Sequence, residues 1–194
     1  MAVQESNMTP LGTPLPDLTL PDLDGKPVSL RVAAGARPVV IAFLCNHCPY
    51  VRHVEPGITA VAAEFAPSDV VFLGVCSNDI ERYPDDDVPG LREQQARTSW
   101  RFPYLIDADQ SAAKAFGAAC TPDFFVYSAA GKLVYRGALD NATPGNHEPV
   151  TGDLLRDAIG KTLAGETVPQ PHRPSLGCGI KWKPGDEPEA VTND

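Results

Sequence analysis

The chain has 194 residues, 43% of them hydrophobic, and carries a formal net charge of −9 at pH 7. This length suits one domain with extensions, large enough to bury an apolar core without disulfide bridges. The acidity argues against binding to nucleic acid or anionic membranes, because both attract clustered lysine and arginine.

Neither a membrane span nor a secretory signal is evident. No apolar run approaches the roughly 20 residues that cross a bilayer. Residues 1–17 lack the basic and apolar regions of a signal peptide, so we expect a cytoplasmic protein. Five cysteines in that reducing compartment do not predict a disulfide framework, and a CxxC motif there is more often a redox or metal site.

The first half of the chain predicts a β-hairpin followed by a βαβ unit. Residues 15–31 contain an Asp-Gly turn between two short apolar segments. Residues 38–44 and 69–77 are continuous apolar runs, typical of buried strands. A helix starting at Pro49 is predicted between them. Its apolar face contains Val51, Val54, Ile58, Val61 and Phe65.

The second half predicts a helix, a strand, a helix, a hairpin and a final helix. An acidic run at residues 83–87 is expected to be a solvated loop. The predicted elements are a helix from about Leu91, a strand over 103–107, a helix ending at Gly117, a hairpin over 124–137, and a helix capped by Thr151 and ended by Gly165.

This order predicts an α/β domain in which helices flank a central mixed sheet, with an N-terminal β-hairpin and an extended C-terminal tail. We predict a flexible N-terminus over residues 1–11, the domain over 12–165, and a Pro-rich tail over 166–194. Within the tail, the segment LGCGIKW at 176–182 has enough apolar character to dock on the domain.

Cys45 and Cys48 form a CxxC motif where a buried strand meets a helix. Free N–H groups and the helix dipole stabilise an anion there, and thiol pKa values in such motifs fall from about 8.5 to roughly 3.5–7.5. We expect Cys45 to be the more exposed, attacking thiol and Cys48 the resolving one. Asn46 and His47, between them, are predicted to tune the pair, since a partial positive charge on His47 stabilises a thiolate.

Two other interpretations of the pair remain open. A metal site needs more ligands than two thiolates, because a closed zinc site normally has four. The pair could also be inert. We expect no metal.

A resemblance to a known family rests on four parts of the chain: the N-terminal hairpin and the segments FLCNHCPYV, RFPYLID and FGAACTPDFFVYSAAGKLVYRG. Over residues 12–165 the chain resembles the thioredoxin superfamily, and within it the AhpC/TSA and TlpA-like, or peroxiredoxin-like, group. The resemblance implies a thioredoxin-like fold. It also implies that Thr121 and a cis-proline at Pro122 face the CxxC motif and support substrate binding.

The chain departs from two patterns of that superfamily. Thioredoxins have a buried acid six residues before the first cysteine, where this chain has Val39. The peroxiredoxin pattern P-x3-T/S-x2-C also fails, because Ala42 occupies the hydroxyl position. The second departure weakens the prediction of a dedicated peroxidase.

We therefore predict a thiol–disulfide oxidoreductase that uses Cys45 and Cys48 and needs no bound organic cofactor. Its expected partners are protein or small-molecule disulfides and a cellular thiol reductant. Cys120, next to Thr121, and Cys178, in the tail, are possible auxiliary thiols. The alternatives are a thiol-dependent peroxidase and a metal-binding protein built on the same fold.

Overall fold

The computed structural model describes residues 3–188. The strands are β1 (Val3–Glu5), β2 (Thr19–Pro21), β3 (Pro27–Ser29), β4 (Val39–Phe43), β5 (Val71–Cys76), β6 (Tyr104–Ile106), β7 (Cys120–Thr121), β8 (Asp123–Tyr127), β9 (Leu133–Gly137) and β10 (Leu176–Gly179). The helices are α1 (Leu30–Ala34), α2 (Pro49–Phe65), α3 (Val88–Thr98), α4 (Ser111–Phe116) and α5 (Asp153–Leu163), with a short 3-10 helix at Pro84–Asp86.

The central sheet has five strands in the order β6-β5-β4-β8-β9. β4, β5 and β6 run parallel, whereas β8 and β9 are antiparallel to their neighbours. The predicted mixed sheet is therefore confirmed. All five residues of β4 are buried, as expected of a strand that is apolar on both faces and lies at the centre of the sheet.

Helix α2 follows β4 after a short turn and is continuous through Pro56. Its buried side chains include Val51, Val54, Ile58 and Val61, the face that the apolar spacing predicts. This face packs into the same core as β4 and β8. The packing places the turn between β4 and α2 at the carboxyl end of the central strand.

The predicted N-terminal hairpin is present, with β2 antiparallel to β3.

The start of the last helix differs from the prediction. Thr151 does not cap α5; the helix begins at Asp153, and Gly152 is its N-cap. The reason is tertiary, because the backbone N–H groups of Thr151 and Gly152 both donate to Oδ2 of Asp140, at 2.8 and 2.7 Å.

A second sheet joins the two ends of the chain in the order β1-β10-β7. The LGCGIKW segment therefore docks, as predicted, and supplies the middle strand β10. Residues 3–5, within the N-terminus predicted to be flexible, form β1 against it. The domain boundaries near residues 12 and 165 stay predictions, and the last residues of the predicted tail, 189–194, lie outside the described range.

Across residues 3–188, no helix is both long enough and apolar enough to cross a lipid bilayer.

Candidate functional site

Cys45 and Cys48 lie at the turn between β4 and α2, and Cys48 is the N-cap residue of α2. Both cysteines are free and 0% exposed. The expectation that Cys45 is the more exposed thiol is therefore wrong. Burial has a tertiary cause, because β7 contacts both sulfur atoms and β10 lies beside β7.

Thr121 and Pro122 face the pair, and the peptide bond between them is cis, as the resemblance implied. The Thr121 hydroxyl lies 3.2 Å from Sγ of Cys45. Sγ of Cys48 lies 3.3 Å from the Thr121 carbonyl oxygen, to which it donates when it carries the proton. One residue of β7 thus contacts both thiols, through its side chain and its backbone.

The surroundings favour negative charge on Cys48 rather than on Cys45. Burial, the hydrogen bond with Cys48 and the Asp86 carboxylate all raise the pKa of Cys45 well above its usual value. Hydrogen bonds from Cys178 and Cys45, in that order of size, hold the pKa of Cys48 well below the ordinary thiol value. The N–H of Val51, in the first turn of α2, adds to this lowering. The helix N-terminus therefore lowers the pKa of Cys48, whereas we expected a stabilised thiolate at Cys45, the attacking thiol.

Asp86 organises the turn that carries the two cysteines. Its Oδ1 accepts the backbone N–H groups of Asn46 and His47 at 2.7 and 3.1 Å, and its Oδ2 contacts His47 Nδ1 at 2.6 Å. The Asn78 side chain donates to the same oxygen at 2.8 Å. Burial works to raise the pKa of Asp86, but these hydrogen bonds, led by His47, outweigh it and hold the pKa below its usual value.

The expectation that the acidic run at 83–87 is a solvated loop is therefore wrong at Asp86, which is 0% exposed. The neighbouring Asp85 and Asp87 are not buried in the same way, since the 3-10 helix turns only one carboxylate inward. Nothing in the local sequence distinguishes Asp86 from its neighbours. Its tertiary contacts with Asn46, His47 and Asn78 distinguish it.

A second group of polar residues supports the same turn from helix α3. Gln94 donates to the Cys45 carbonyl oxygen at 3.0 Å. Arg97 donates to Asn46 Oδ1 at 3.0 Å and forms a 2.7 Å ion pair with Glu55 of α2. The predicted tuning residues Asn46 and His47 are thus held in place by α3 and by the Asp86 segment. Sequence reasoning missed Gln94 and Arg97, because α3 has only a weak apolar period.

The two possible auxiliary thiols have different surroundings. Cys178 is 2% exposed and hydrogen-bonds with Cys48. Cys120 is also buried, and its Sγ contacts the Pro122 carbonyl oxygen at 3.8 Å. Burial raises the pKa of Cys120. The structure therefore brings Cys178, but not Cys120, into hydrogen-bond contact with the pair, among the residues it describes.

Cys45, His47 and Asp86 could also contribute to a metal site. Each offers one ligand atom, and the three atoms lie within 4.8 Å of one another. Three donors are fewer than the four of a closed zinc site, and His47 and Asp86 already bond to each other.

Comparison with known proteins identifies a matching family and similar solved structures. Residues 11–136 match the AhpC/TSA family. The chain is 43% identical to an uncharacterized conserved protein from Geobacillus kaustophilus, with a TM-score of 0.92, over 95% of this chain and 98% of that one. It is 39% identical to a hypothetical protein from Sinorhizobium meliloti, with a TM-score of 0.90, over 93% and 99% of the two chains.

A third solved structure shares the fold at lower sequence identity. A secreted Mycobacterium tuberculosis disulfide oxidoreductase homologous to E. coli DsbE is 22% identical, with a TM-score of 0.58, over 74% of this chain and 95% of that one. This likeness confirms the thioredoxin-like fold. No curated protein sequence matches the chain significantly. The chain belongs to the AhpC/TSA family and has its thioredoxin-like fold.

Proposed function

We propose that the protein is a thiol–disulfide oxidoreductase in which Cys45 and Cys48 alternate between a dithiol and a disulfide. The observation that carries this proposal is that one residue contacts both sulfur atoms at the N-terminus of α2. Thr121 Oγ1 lies 3.2 Å from Cys45 Sγ, and the Thr121 carbonyl oxygen lies 3.3 Å from Cys48 Sγ. Two thiols in contact, one of them with a strongly lowered pKa, provide both a nucleophile and a resolving group. The membership in the AhpC/TSA family supports the same chemistry.

The first step begins with a proton transfer within the pair. Because the pKa of Cys48 is lowered and that of Cys45 is raised, the reduced pair favours the negative charge on Cys48 and the proton on Cys45. Movement of that proton to Cys48 creates the Cys45 thiolate. This thiolate attacks one sulfur of a substrate disulfide, so a mixed disulfide forms and the other substrate sulfur leaves as a thiolate, which takes up a proton.

The second step resolves the mixed disulfide. Cys48 loses its proton and attacks Sγ of Cys45, and the second substrate sulfur leaves as a thiolate. That leaving thiolate takes up the proton that Cys48 lost. The protein gains the Cys45–Cys48 disulfide, and the substrate gains two electrons and two protons, one proton from the pair and one from water. We assign the attack to Cys45 because Cys48 is enclosed by Cys45, Cys178 and the Thr121 carbonyl.

Access to Cys45 requires motion, because the residue is 0% exposed. The Asp86 segment and β7 both contact the turn, so one of them has to move before a substrate disulfide reaches the sulfur. The proposed substrates are protein or small-molecule disulfides, and a cellular thiol reductant restores the dithiol. The cytoplasmic location stays a prediction.

The test compares wild type with Cys45→Ser, Cys48→Ser and the control Cys76→Ala, which removes a buried thiol from β5. Catalysed reduction of insulin by dithiothreitol is expected for wild type and the control, and is expected to be lost in both serine variants. Cys48→Ser is expected to accumulate a mixed disulfide at Cys45. Equal activity of Cys45→Ser and wild type would refute the proposal.

A second candidate function is thiol-dependent peroxide reduction. The hydroxyl that the peroxiredoxin pattern lacks at Ala42 has a spatial counterpart, since Thr121 Oγ1 lies 3.2 Å from Cys45 Sγ. This hydroxyl could polarise a peroxide next to the attacking sulfur. Hydrogen peroxide consumption with dithiothreitol tests this function, and it is expected to fall in Thr121→Val and to be retained in Thr121→Ser. No consumption above a no-protein blank by wild type would exclude it.

A further inference from the structure

Cys178 lies in the middle strand of the sheet that joins the two chain ends. In the antiparallel pair of β10 and β7 it is directly opposite Thr121. On its other side it pairs with Val3 of β1. The Thr121 carbonyl oxygen in turn lies 3.3 Å from Cys48 Sγ, so strand pairing places Cys178 beside the N-terminus of α2.

Glycines on both sides of Cys178 allow this close approach. A Cβ atom at Gly177 would lie 2.1 Å from the Thr121 carbonyl oxygen, and one at Gly179 would lie 2.7 Å from the Gln4 side chain. Any other residue at Gly177 would push β10 away from β7. The sequence GCG thus presents a cysteine where the β7 backbone leaves no room for a side chain at Gly177.

Three thiols meet at this point, and Cys48 is the central one. Its neighbours Cys178 and Cys45 both lower its pKa, and Cys48 in turn raises the pKa of each of them. The backbone N–H of Tyr50 lowers the pKa of Cys178. The backbone N–H of Cys178 lowers the pKa of Cys48. All three cysteines belong to the same buried core cluster. Cys48 therefore has two possible disulfide partners within the fold.

We propose that Cys178 is a third redox-active thiol, which exchanges with the Cys45–Cys48 disulfide to form a Cys48–Cys178 disulfide. This inference rests on the proposed function, because it starts from the oxidised pair. The Cys178 thiolate attacks Sγ of Cys48, so the Cys48–Cys178 bond forms and the Cys45–Cys48 bond breaks. Cys45 leaves as a thiolate and takes up the proton that Cys178 lost, and no external oxidant or reductant is consumed.

The charge distribution favours this exchange in the oxidised protein in particular. In the reduced protein the hydrogen bond with Cys48 and, after it, burial raise the pKa of Cys178. Once Cys48 is in a disulfide it carries no negative charge, so that hydrogen-bond contribution disappears. The Lys181 ammonium, which lowers the pKa of Cys178, remains. Cys178 is thus a weak nucleophile in the dithiol state and a stronger one after oxidation.

The exchange has two consequences for the site. Cys45 returns to the thiol form while the protein stays oxidised, so it can attack again. The C-terminal strand becomes covalently attached to the first turn of α2. Whether the tail is covalently attached to α2 would then depend on the oxidation state of the pair.

Peptide mapping tests the proposal directly. Trypsin is expected to release residues 32–52 with both Cys45 and Cys48, and residues 162–181 with Cys178. Wild-type protein oxidised with diamide, quenched in acid and alkylated should yield a cross-link between these two peptides. In Cys45→Ser that cross-link should account for most of the Cys178, since Cys48 has no other thiol in contact.

The controls separate this inference from the proposed function. Cys178→Ser is expected to keep the Cys45–Cys48 disulfide and to lose the cross-link, whereas Cys120→Ala, on neighbouring β7, should keep both. Wild type in which Cys178 is fully alkylated after oxidation would overturn the exchange. Wild type needs no substitution, so a folding defect cannot cause that result. Failure of the Cys45–Cys48 disulfide in Cys178→Ser would instead count against the proposed function.

Discussion

Replacement of Asp123 by Asn should remove a pH dependence of stability. Asp123 follows the cis peptide bond and is 0% exposed. Its Oδ1 accepts the Ser6 hydroxyl at 2.6 Å. Ser6 and Ser175 also bond through their backbones, from the Ser6 N–H to the Ser175 carbonyl at 3.0 Å. The carboxyl therefore lies beneath the junction of the two chain ends.

The magnitude follows from the pKa of this carboxyl. Burial, only partly offset by the hydrogen bond from Ser6, raises the pKa of Asp123 from 3.8 to about 7. A raised folded-state pKa means that the stabilisation from the protonated form is complete below pH 3.8 and is lost as the pH rises to about 7. This difference in pKa corresponds to a decrease of at most about 4 kcal/mol in the free energy of unfolding.

Urea unfolding at several pH values between 4 and 8 provides the assay. The free energy of unfolding of wild type should fall relative to Asp123→Asn across this range, because the amide stays neutral. An Asn side chain can still accept the Ser6 hydroxyl. Ser6→Ala serves as the control, since loss of that donor should raise the pKa further and extend the fall to higher pH. Parallel pH curves for wild type and Asp123→Asn would refute the reasoning.

Three further predictions concern backbone contacts and thiol electrostatics. Gly177→Ala should destabilise the protein by about 2 kcal/mol or more in urea unfolding, because its Cβ would lie 2.1 Å from the Thr121 carbonyl oxygen. Gly160→Ala, in α5 with no atom within 4 Å of the new Cβ, should instead stabilise by roughly 0.5–1 kcal/mol. Asp86→Asn should lower the pKa of Cys45, since the Asp86 carboxylate raises it. Thiolate absorbance followed against pH measures that change, and an unchanged titration would contradict the assigned electrostatics.

Much of the architecture was predictable because local patterns encode it. The buried strand at Val39–Phe43, the amphipathic helix after Pro49 and the hairpin around Gly25 each follow from side-chain period or turn chemistry within a few residues. The CxxC spacing and the Thr121–Pro122 dipeptide identified the centre of the candidate site. These features depend little on the rest of the chain.

The surroundings of the thiols were not predictable in this way. Asp86 looked like one of several surface acids, and Gln94 belongs to a helix with a weak pattern. Both meet the CxxC turn from 40 or more positions away. Burial of Cys45, which raises its pKa, also comes from such distant segments.

The sequence by itself determined where the central strands β4 and β5 and the helix α2 form, and that two cysteines lie in the turn before α2, because those properties depend on near neighbours. Only the tertiary structure decided which of the two thiols has the lowered pKa and which third cysteine lies beside it. Charge and reactivity depend on burial and on hydrogen bonds, and here strand pairing between the chain's end and its middle sets both.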